Sequence, residues 1–215
     1  TGARSLESPS IAMVTEAGII GKIGFNSCGV GVCLNAIKTR GCDPTRLPVH
    51  FGLRMAMGSR AAAEGADKLE AIGMASSAHI LIADETEAIG FEFTATTFAR
   101  LPMDTNKCVV HLNHLIGENP GVYEPGWLKD SSVRLATMNG LVTSFAQKIP
   151  EPTVDDFSRL FEDEENHPAA ICRKMEGESA AETLLNIVMD LRSKTAVVKL
   201  GKPVAADETV NLSCL

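Results

Sequence analysis

With 215 residues, 45% of them hydrophobic and 22% charged, the chain holds enough apolar material for one large core and carries the charge of an ordinary water-soluble domain. A net charge of -7, no run of Lys or Arg, and only one Trp (Trp127) and one Tyr (Tyr123) exclude a nucleic-acid binder, which needs cationic grooves and stacking platforms. No stretch reaches the roughly 18 consecutive apolar residues of a membrane span, and the start Thr1-Gly2-Ala3-Arg4-Ser5 lacks the apolar core of a secretory signal, so a soluble cytoplasmic protein is expected.

Residues 1–10 are polar and contain Pro9. Ile11 to Glu16 and Gly21 to Val32 then set short β-prone runs among glycines, the pattern of strands joined by tight turns. Gly18, Gly21, Gly24, Gly29 and Gly31 fit neither G-x-G-x-x-G nor the P-loop pattern, so they are assigned to sharp turns and close strand contacts rather than to a phosphate.

A loop over Lys38 to Pro48 precedes His50 to Ala71, where Phe51, Met55, Ala62, Ala66 and Leu69 recur at helical spacing with an interruption near Gly58-Ser59. Two successive helices are predicted. Ser77 to Ala83, Ala88 to Thr94 and Lys107 to Leu112 are β-prone and are expected to form an antiparallel meander, its first turn at Asp84-Glu85-Thr86-Glu87.

Helices are predicted over Leu128 to Lys148 and Val154 to Glu164, the second capped by Thr153 with Asp155-Asp156 in its first turn. The acidic cluster Glu162 to Glu165 reads as a solvated face. Thr183 to Leu191 and Thr195 to Leu200 close the chain as two strands around Arg192-Ser193-Lys194. This order is α+β rather than alternating βαβ, with helices outside and sheets inside.

Cys28, Cys33, Cys42, Cys108, Cys172 and Cys214 show no paired C-x-x-C spacing and read as mostly buried thiols, not a zinc or disulfide framework. His111 and His114, near Cys108, lie three apart on a predicted strand and so on opposite faces, which argues against a shared metal. No Ser, His and Asp form a triad by spacing, and there is no G-x-S-x-G elbow.

The run Val14-Thr15-Glu16-Ala17-Gly18-Ile19-Ile20-Gly21-Lys22-Ile23-Gly24-Phe25-Asn26-Ser27, followed by Gly29-Val30 and Leu34-Asn35-Ala36, resembles the fungal acyl-coenzyme A:6-aminopenicillanic acid acyltransferase family. The resemblance continues through Ala75-Ser76-Ser77-Ala78, Gly90-Phe91-Glu92-Phe93, Val110-His111-Leu112-Asn113-His114, Ala170-Ile171-Cys172-Arg173 and Thr183-Leu184-Leu185-Asn186-Ile187, covering Ile11 to about Val210. It implies a four-layered αββα N-terminal-nucleophile hydrolase fold, here expected as one partial domain over residues 1–215.

In that family a precursor cleaves itself to expose a cysteine, whose thiol is nucleophile and whose own α-amino group is base. An α-amine with a pKa of roughly 7.7–8.0 is suited to take the thiol proton. The implied activity is acyl transfer to an amine, or amide hydrolysis, on small acyl compounds or acyl-coenzyme A thioesters, without a cofactor. No segment carries an independent coenzyme A signature.

The family's nucleophile precedes the segment matching Ile11, and residues 1–10 contain no cysteine; Cys28 and Cys33 lie beyond that position and have no terminal amine to share. The chain, which begins without Met, is therefore expected to be processed or a fragment, inactive alone, and partnered by its own N-terminal segment or small subunit. Unpaired sheet edges are expected to favour association. The alternative is a non-catalytic pseudoenzyme binding a small acyl compound or a partner.

Among site residues, the resemblance assigns Asn113 as the oxyanion donor, places Thr94 and Thr97 near the catalytic centre and processing site, and places Ser179 beside the active site. Read from residue type alone, Thr94, Thr97 and Ser179 are turn formers. A terminal Thr1 nucleophile is disfavoured because Gly2-Ala3-Arg4-Ser5 is loop-like. Ser213-Cys214-Leu215 is a degraded form of the Ser-Lys-Leu peroxisomal address, leaving peroxisomal import as a second location to test.

Overall fold

The computed structural model describes residues 8–177, 179 and 181–214, so Thr1 and Leu215 lie outside the described residues. Six strands form one antiparallel sheet in sequence order: β1 (Ile11–Val14), β2 (Ile23–Asn26), β3 (Gly31–Ala36), β4 (Ala78–Ala83), β5 (Ala88–Phe93) and β6 (Phe98–Pro102). A second antiparallel sheet contains β7 (Leu185–Asp190), β8 (Thr195–Lys202) and β9 (Ala205–Ser213).

The period-2 alternation of the first sheet divides its side chains between two cores. Val30, Val32, Ile80, Ile82, Phe91 and Phe93 face α1 (Val49–Met57) and α2 (Ala62–Ile72), where Leu53, Ala56, Met57, Ala66 and Leu69 are buried. Burying each large side chain contributes about 1.5–3 kcal/mol. On the opposite face Phe25 meets Ala196 and Cys214, with Ala12, Ile187, Met189, Leu191 and Leu212 completing the inter-sheet core.

Outside the second sheet lie α3 (Ser131–Lys148) and α4 (Val154–Arg159), the latter continued by a 3-10 turn over Leu160–Glu162. Ser158 Oγ reaches Asn186 of β7 at 3.4 Å, and Lys199 of β8 pairs with Glu162 at 2.9 Å, fixing the outer layer. The layers are αββα. As predicted, Thr153 caps α4, and Thr153 and Asp156 satisfy each other's backbone amides in a reciprocal capping box.

Glycines do what the turn-rich sequence requires. A Cβ at Gly24 would fall 2.2 Å from the Ala12 carbonyl oxygen, so a side chain there would disrupt β1 against β2. Gly29, at φ 82°, closes the β2–β3 turn in a conformation that L side chains disfavour. Asn26 is fully buried there, accepting from Cys28 N and Val30 N while donating to the Met57 and Ser59 carbonyls, which ties the turn to the end of α1.

Four local expectations need correction. Lys107 to Leu112 is no strand: Asp104 and Cys108 close a turn with Lys107 at φ 59°, and downstream amides are taken by side chains instead of a ladder. The meander's third strand is β6. The closing sheet gains β9, whose alternation is weak because most of its residues are exposed. Finally, α1 presents Leu53, Ala56 and Met57 inward while Phe51 is 53% exposed, so Phe51 does not belong to the buried stripe. Among the described residues no helix is long and apolar enough to cross a membrane.

Candidate active site

Asn113 stands in the irregular segment between β6 and α3. Its backbone N–H donates to Ser131 Oγ at 2.8 Å, at the buried start of α3, and its Nδ2 donates to the Ala36 carbonyl at the end of β3, 3.0 Å away. Arg134 Nη2, one turn along α3, donates to Asn113 Oδ1 at 3.0 Å. A guanidinium only donates, so this contact identifies the amide oxygen and leaves Nδ2 a second N–H with no partner among the described residues.

Arg134 is itself held by Asp130, with Nε 3.0 Å from Oδ2, and Arg173 Nη2 reaches the same oxygen at 2.8 Å. Both guanidiniums are buried, and the Arg173 Nε has no partner among the described residues. Burial holds the Arg134 guanidinium below its ordinary pKa; attraction from Asp130 opposes that shift and repulsion from Arg173 adds to it. Asp130 thus shares its carboxylate between two buried guanidiniums, of which Arg134 touches Asn113 directly.

Nothing in residue type or spacing marks Arg134 and Asp130 as site residues. Arg173 was within a recognised motif, but nothing singled it out.

Thr94 and Thr97 come together, 2.9 Å apart at their hydroxyls, closing the β5–β6 turn, where Thr94 N also donates to the Thr97 carbonyl. Thr97 Oγ1 donates to Asn119 Oδ1 at 2.8 Å. No hydrogen bond among the described residues joins either threonine to Asn113. Ser179 donates its hydroxyl to the Ala181 carbonyl at 3.0 Å, in a loop whose base is pinned by Arg173 N to Thr183 Oγ1 at 2.9 Å. No hydrogen bond among the described residues joins Ser179 to Asn113 or to Arg173.

A second polar cluster occupies the inner face of β4 and β5. Glu92, fully buried, accepts from Ile116 N (2.6 Å), Gly117 N (3.0 Å) and Asn119 Nδ2 (2.9 Å) and lies 2.8 Å from His111 Nε2. These bonds hold its carboxyl below the usual range against the opposing effect of burial, the largest single influence. His79 stacks on His111 with ring centroids 3.6 Å apart.

His114 instead engages Ser131 Oγ at 2.7 Å, so His111 and His114 are separated by different partners rather than by opposite faces of a strand. Among the described residues no group of three or more His, Cys, Asp or Glu is placed to hold a metal ion.

None of the six thiols is in a disulfide. Desolvation pushes Cys33, on the inner face of β3, up to about 11, and raises Cys108 and Cys214 as well. Such thiols stay protonated at neutral pH and are poor nucleophiles.

Beside Asn113, Ala36 also borders an open cleft of about 540 Å³ lined mainly by apolar groups, among them Leu34, Pro48, Val49, Ala75 and Ala78, with Arg46 at its edge. The cleft and the amide share the end of β3.

Comparison with known proteins identifies the family and the fold. The profile of the family described as acyl-coenzyme A:6-aminopenicillanic acid acyl-transferase matches residues 7–205. The 40 kDa form of acyl-coenzyme A:6-aminopenicillanic-acid-acyltransferase of Emericella nidulans is 44% identical over 204 residues, covering 94% of this chain and 56% of its own length. The chain therefore spans little more than half of that relative.

Among solved structures, a mutant of the conjugated bile acid hydrolase of Clostridium perfringens superposes with a TM-score of 0.64 at 11% identity, over 89% of this chain and 71% of its own. Penicillin V acylase of Agrobacterium tumefaciens gives a TM-score of 0.55 at 12% identity, over 89% of this chain and 65% of its own. These two share the N-terminal-nucleophile hydrolase fold with the present αββα layers. The match along nearly the whole sequence and the shared fold place the chain in the acyl-coenzyme A:6-aminopenicillanic acid acyltransferase family.

Proposed function

We propose that these residues build the oxyanion and substrate side of an acyl-transfer site, and that the nucleophile is a cysteine from the part of the family's length that they do not span. The observation that carries this reading is the Asn113 amide, oriented by Arg134 so that one N–H is left for a reacting oxygen.

In the proposed reaction the cysteine thiol gives its proton to its own α-amine as sulfur bonds to the carbonyl carbon of a thioester or amide. The carbonyl electron pair moves onto oxygen, where Asn113 Nδ2 donates. Collapse expels the thiol or amine, which takes the proton back. An amine or water then attacks the acyl-cysteine, giving a proton to the α-amine that passes to the sulfur as the carbon–sulfur bond breaks.

The apolar cleft at Ala36 suits the acyl group of a small acyl compound or acyl-coenzyme A. Thr94, Thr97 and Ser179 remain part of the proposal as supports of the site rather than as groups touching the reacting atoms. The partner is the N-terminal segment or small subunit that brings the cysteine.

Cytoplasmic function belongs to the same reading.

The test is turnover of an acyl-thioester by the protein carrying its nucleophile segment. Asn113→Ala is expected to lower kcat by about 10²–10³-fold with the fold intact. Unchanged kcat would remove Asn113 from the reaction.

A further inference from the structure

We propose that Glu92 and His111 form a buried carboxylate–imidazolium pair whose task is to position the segment that bears Asn113; this rests on the oxyanion role given to Asn113 above. His111 Nδ1 points at the Leu112 carbonyl, 2.7 Å away, and its Nε2 at Glu92 Oε1, 2.8 Å away. A carbonyl only accepts, so Nδ1 carries a proton.

Glu92 meets three more N–H donors, from Ile116, Gly117 and Asn119, and these favour its ionised form. The remaining proton of the pair therefore sits on His111 Nε2. His79 completes the assignment: its Nδ1 bonds Asn35 Oδ1 at 2.9 Å, its buried Nε2 has no partner among the described residues, and its ring lies stacked on His111. A second charge at that distance is disfavoured, so His79 is the neutral ring against which the imidazolium stacks.

The geometry connects the pair to Asn113 from both sides. His111 lies two residues before it, Ile116 and Gly117 three and four residues after, and all three bond one carboxylate on β5. The segment has no helix or strand of its own, so Glu92 replaces the missing ladder.

Space enforces the same arrangement. A Cβ at Gly117 would lie 2.8 Å from Ala99 Cβ and 3.0 Å from Glu92 Oε2, and a Cβ at Gly90 would lie 2.7 Å from His79 Nε2.

The charge state is tested on the unaltered 215-residue chain by nitrogen-15 NMR of the histidine rings at neutral pH. Two protonated nitrogens on His111 and a single one, Nδ1, on His79 are expected. A bare nitrogen on His111 overturns the pair whatever Asn113 does.

The positioning role is tested in the protein carrying its nucleophile segment. Glu92→Gln keeps the shape but turns an amide donor toward backbone donors, and kcat is expected to fall about 10- to 100-fold with KM within a factor of two, short of removing the oxyanion donor itself. Gly117→Ala keeps the carboxylate, displaces the segment, and is expected to act in the same direction. Parental kcat in either folded variant overturns the positioning role. Should Asn113→Ala leave turnover intact while His111 proves doubly protonated, the oxyanion reading fails and the ion pair stands.

Discussion

Arg134 Nη2 stands 3.0 Å from Asn113 Oδ1 and, together with the Ala36 carbonyl that accepts from Nδ2, sets the orientation of the Asn113 amide. Replacing Arg134 with Met keeps much of the bulk but lets the amide turn. In the protein carrying its nucleophile segment, kcat is expected to drop about 10- to 100-fold while KM changes little, since the donor acts on the transition state more than on bound substrate. Steady-state kinetics decide it, and equal loss in Arg134→Lys would add that the planar fork matters and not charge alone.

Asp130 is the single anion shared by two buried guanidiniums. Asp130→Ala strands both, and breaking a buried pair in this way costs about 3–5 kcal/mol. Urea unfolding of the 215-residue chain measures this directly. A loss below about 1 kcal/mol, the range of exposed pairs, would contradict the buried cluster.

His79 is held down to about 2, mainly by burial and further by repulsion from His111, against an ordinary value of 6.5. Below pH 6.5 the unfolded chain takes up a proton that the folded ring refuses, so stability is full above 6.5 and declines as pH falls from there, by up to about 1.4 kcal/mol per pH unit from this group. Glu92, whose folded value is lowered, adds a further loss as pH falls through that value. Between pH 6.5 and 5 the urea midpoint should fall more steeply in the parent than in His79→Gln; parallel lines would contradict a buried neutral ring.

Gly24 passes so close to β1 that an added Cβ would sit 2.6 Å from Met13 Cβ as well as against the Ala12 carbonyl. Backbone cannot yield as a flexible side chain does, and Gly24→Ala is expected to destabilise by roughly 1–3 kcal/mol or more. The same variant should speed amide exchange along Ile11–Val14. Unaltered unfolding and exchange would contradict the close strand contact.

Much of the fold was legible because its periodicities are strong. Ala62, Ala66 and Leu69 marked the buried stripe of α2, and Thr153 with Asp156 marked the start of α4. Strands β6 and β9 were not legible: Arg100 and Pro102 interrupt the first, and Asp207, Glu208 and Asn211 face outward on the second.

The segment 107–112 misled for the opposite reason, since its apolar residues are half-buried without strand pairing. The candidate site was legible only through the resemblance, which singles out Asn113. Asp130 and Arg134, four residues apart, look on sequence grounds like an exposed helix pair, and only packing reveals them as buried. A lone Glu92 in an apolar strand was the one available signal of the second cluster, because a buried carboxylate demands several donors.

The central claim is that Asn113 meets a carbonyl attacked by a cysteine supplied from outside residues 1–215. Intact-protein mass spectrometry of the form carrying its nucleophile segment, sampled in a single turnover with an acyl-thioester, follows that event itself. The account predicts one acyl adduct on the chain-terminal cysteine, forming about 10²–10³-fold more slowly in Asn113→Ala. An adduct on Cys33 or another thiol of this chain, or equal rates in the two proteins, would contradict it.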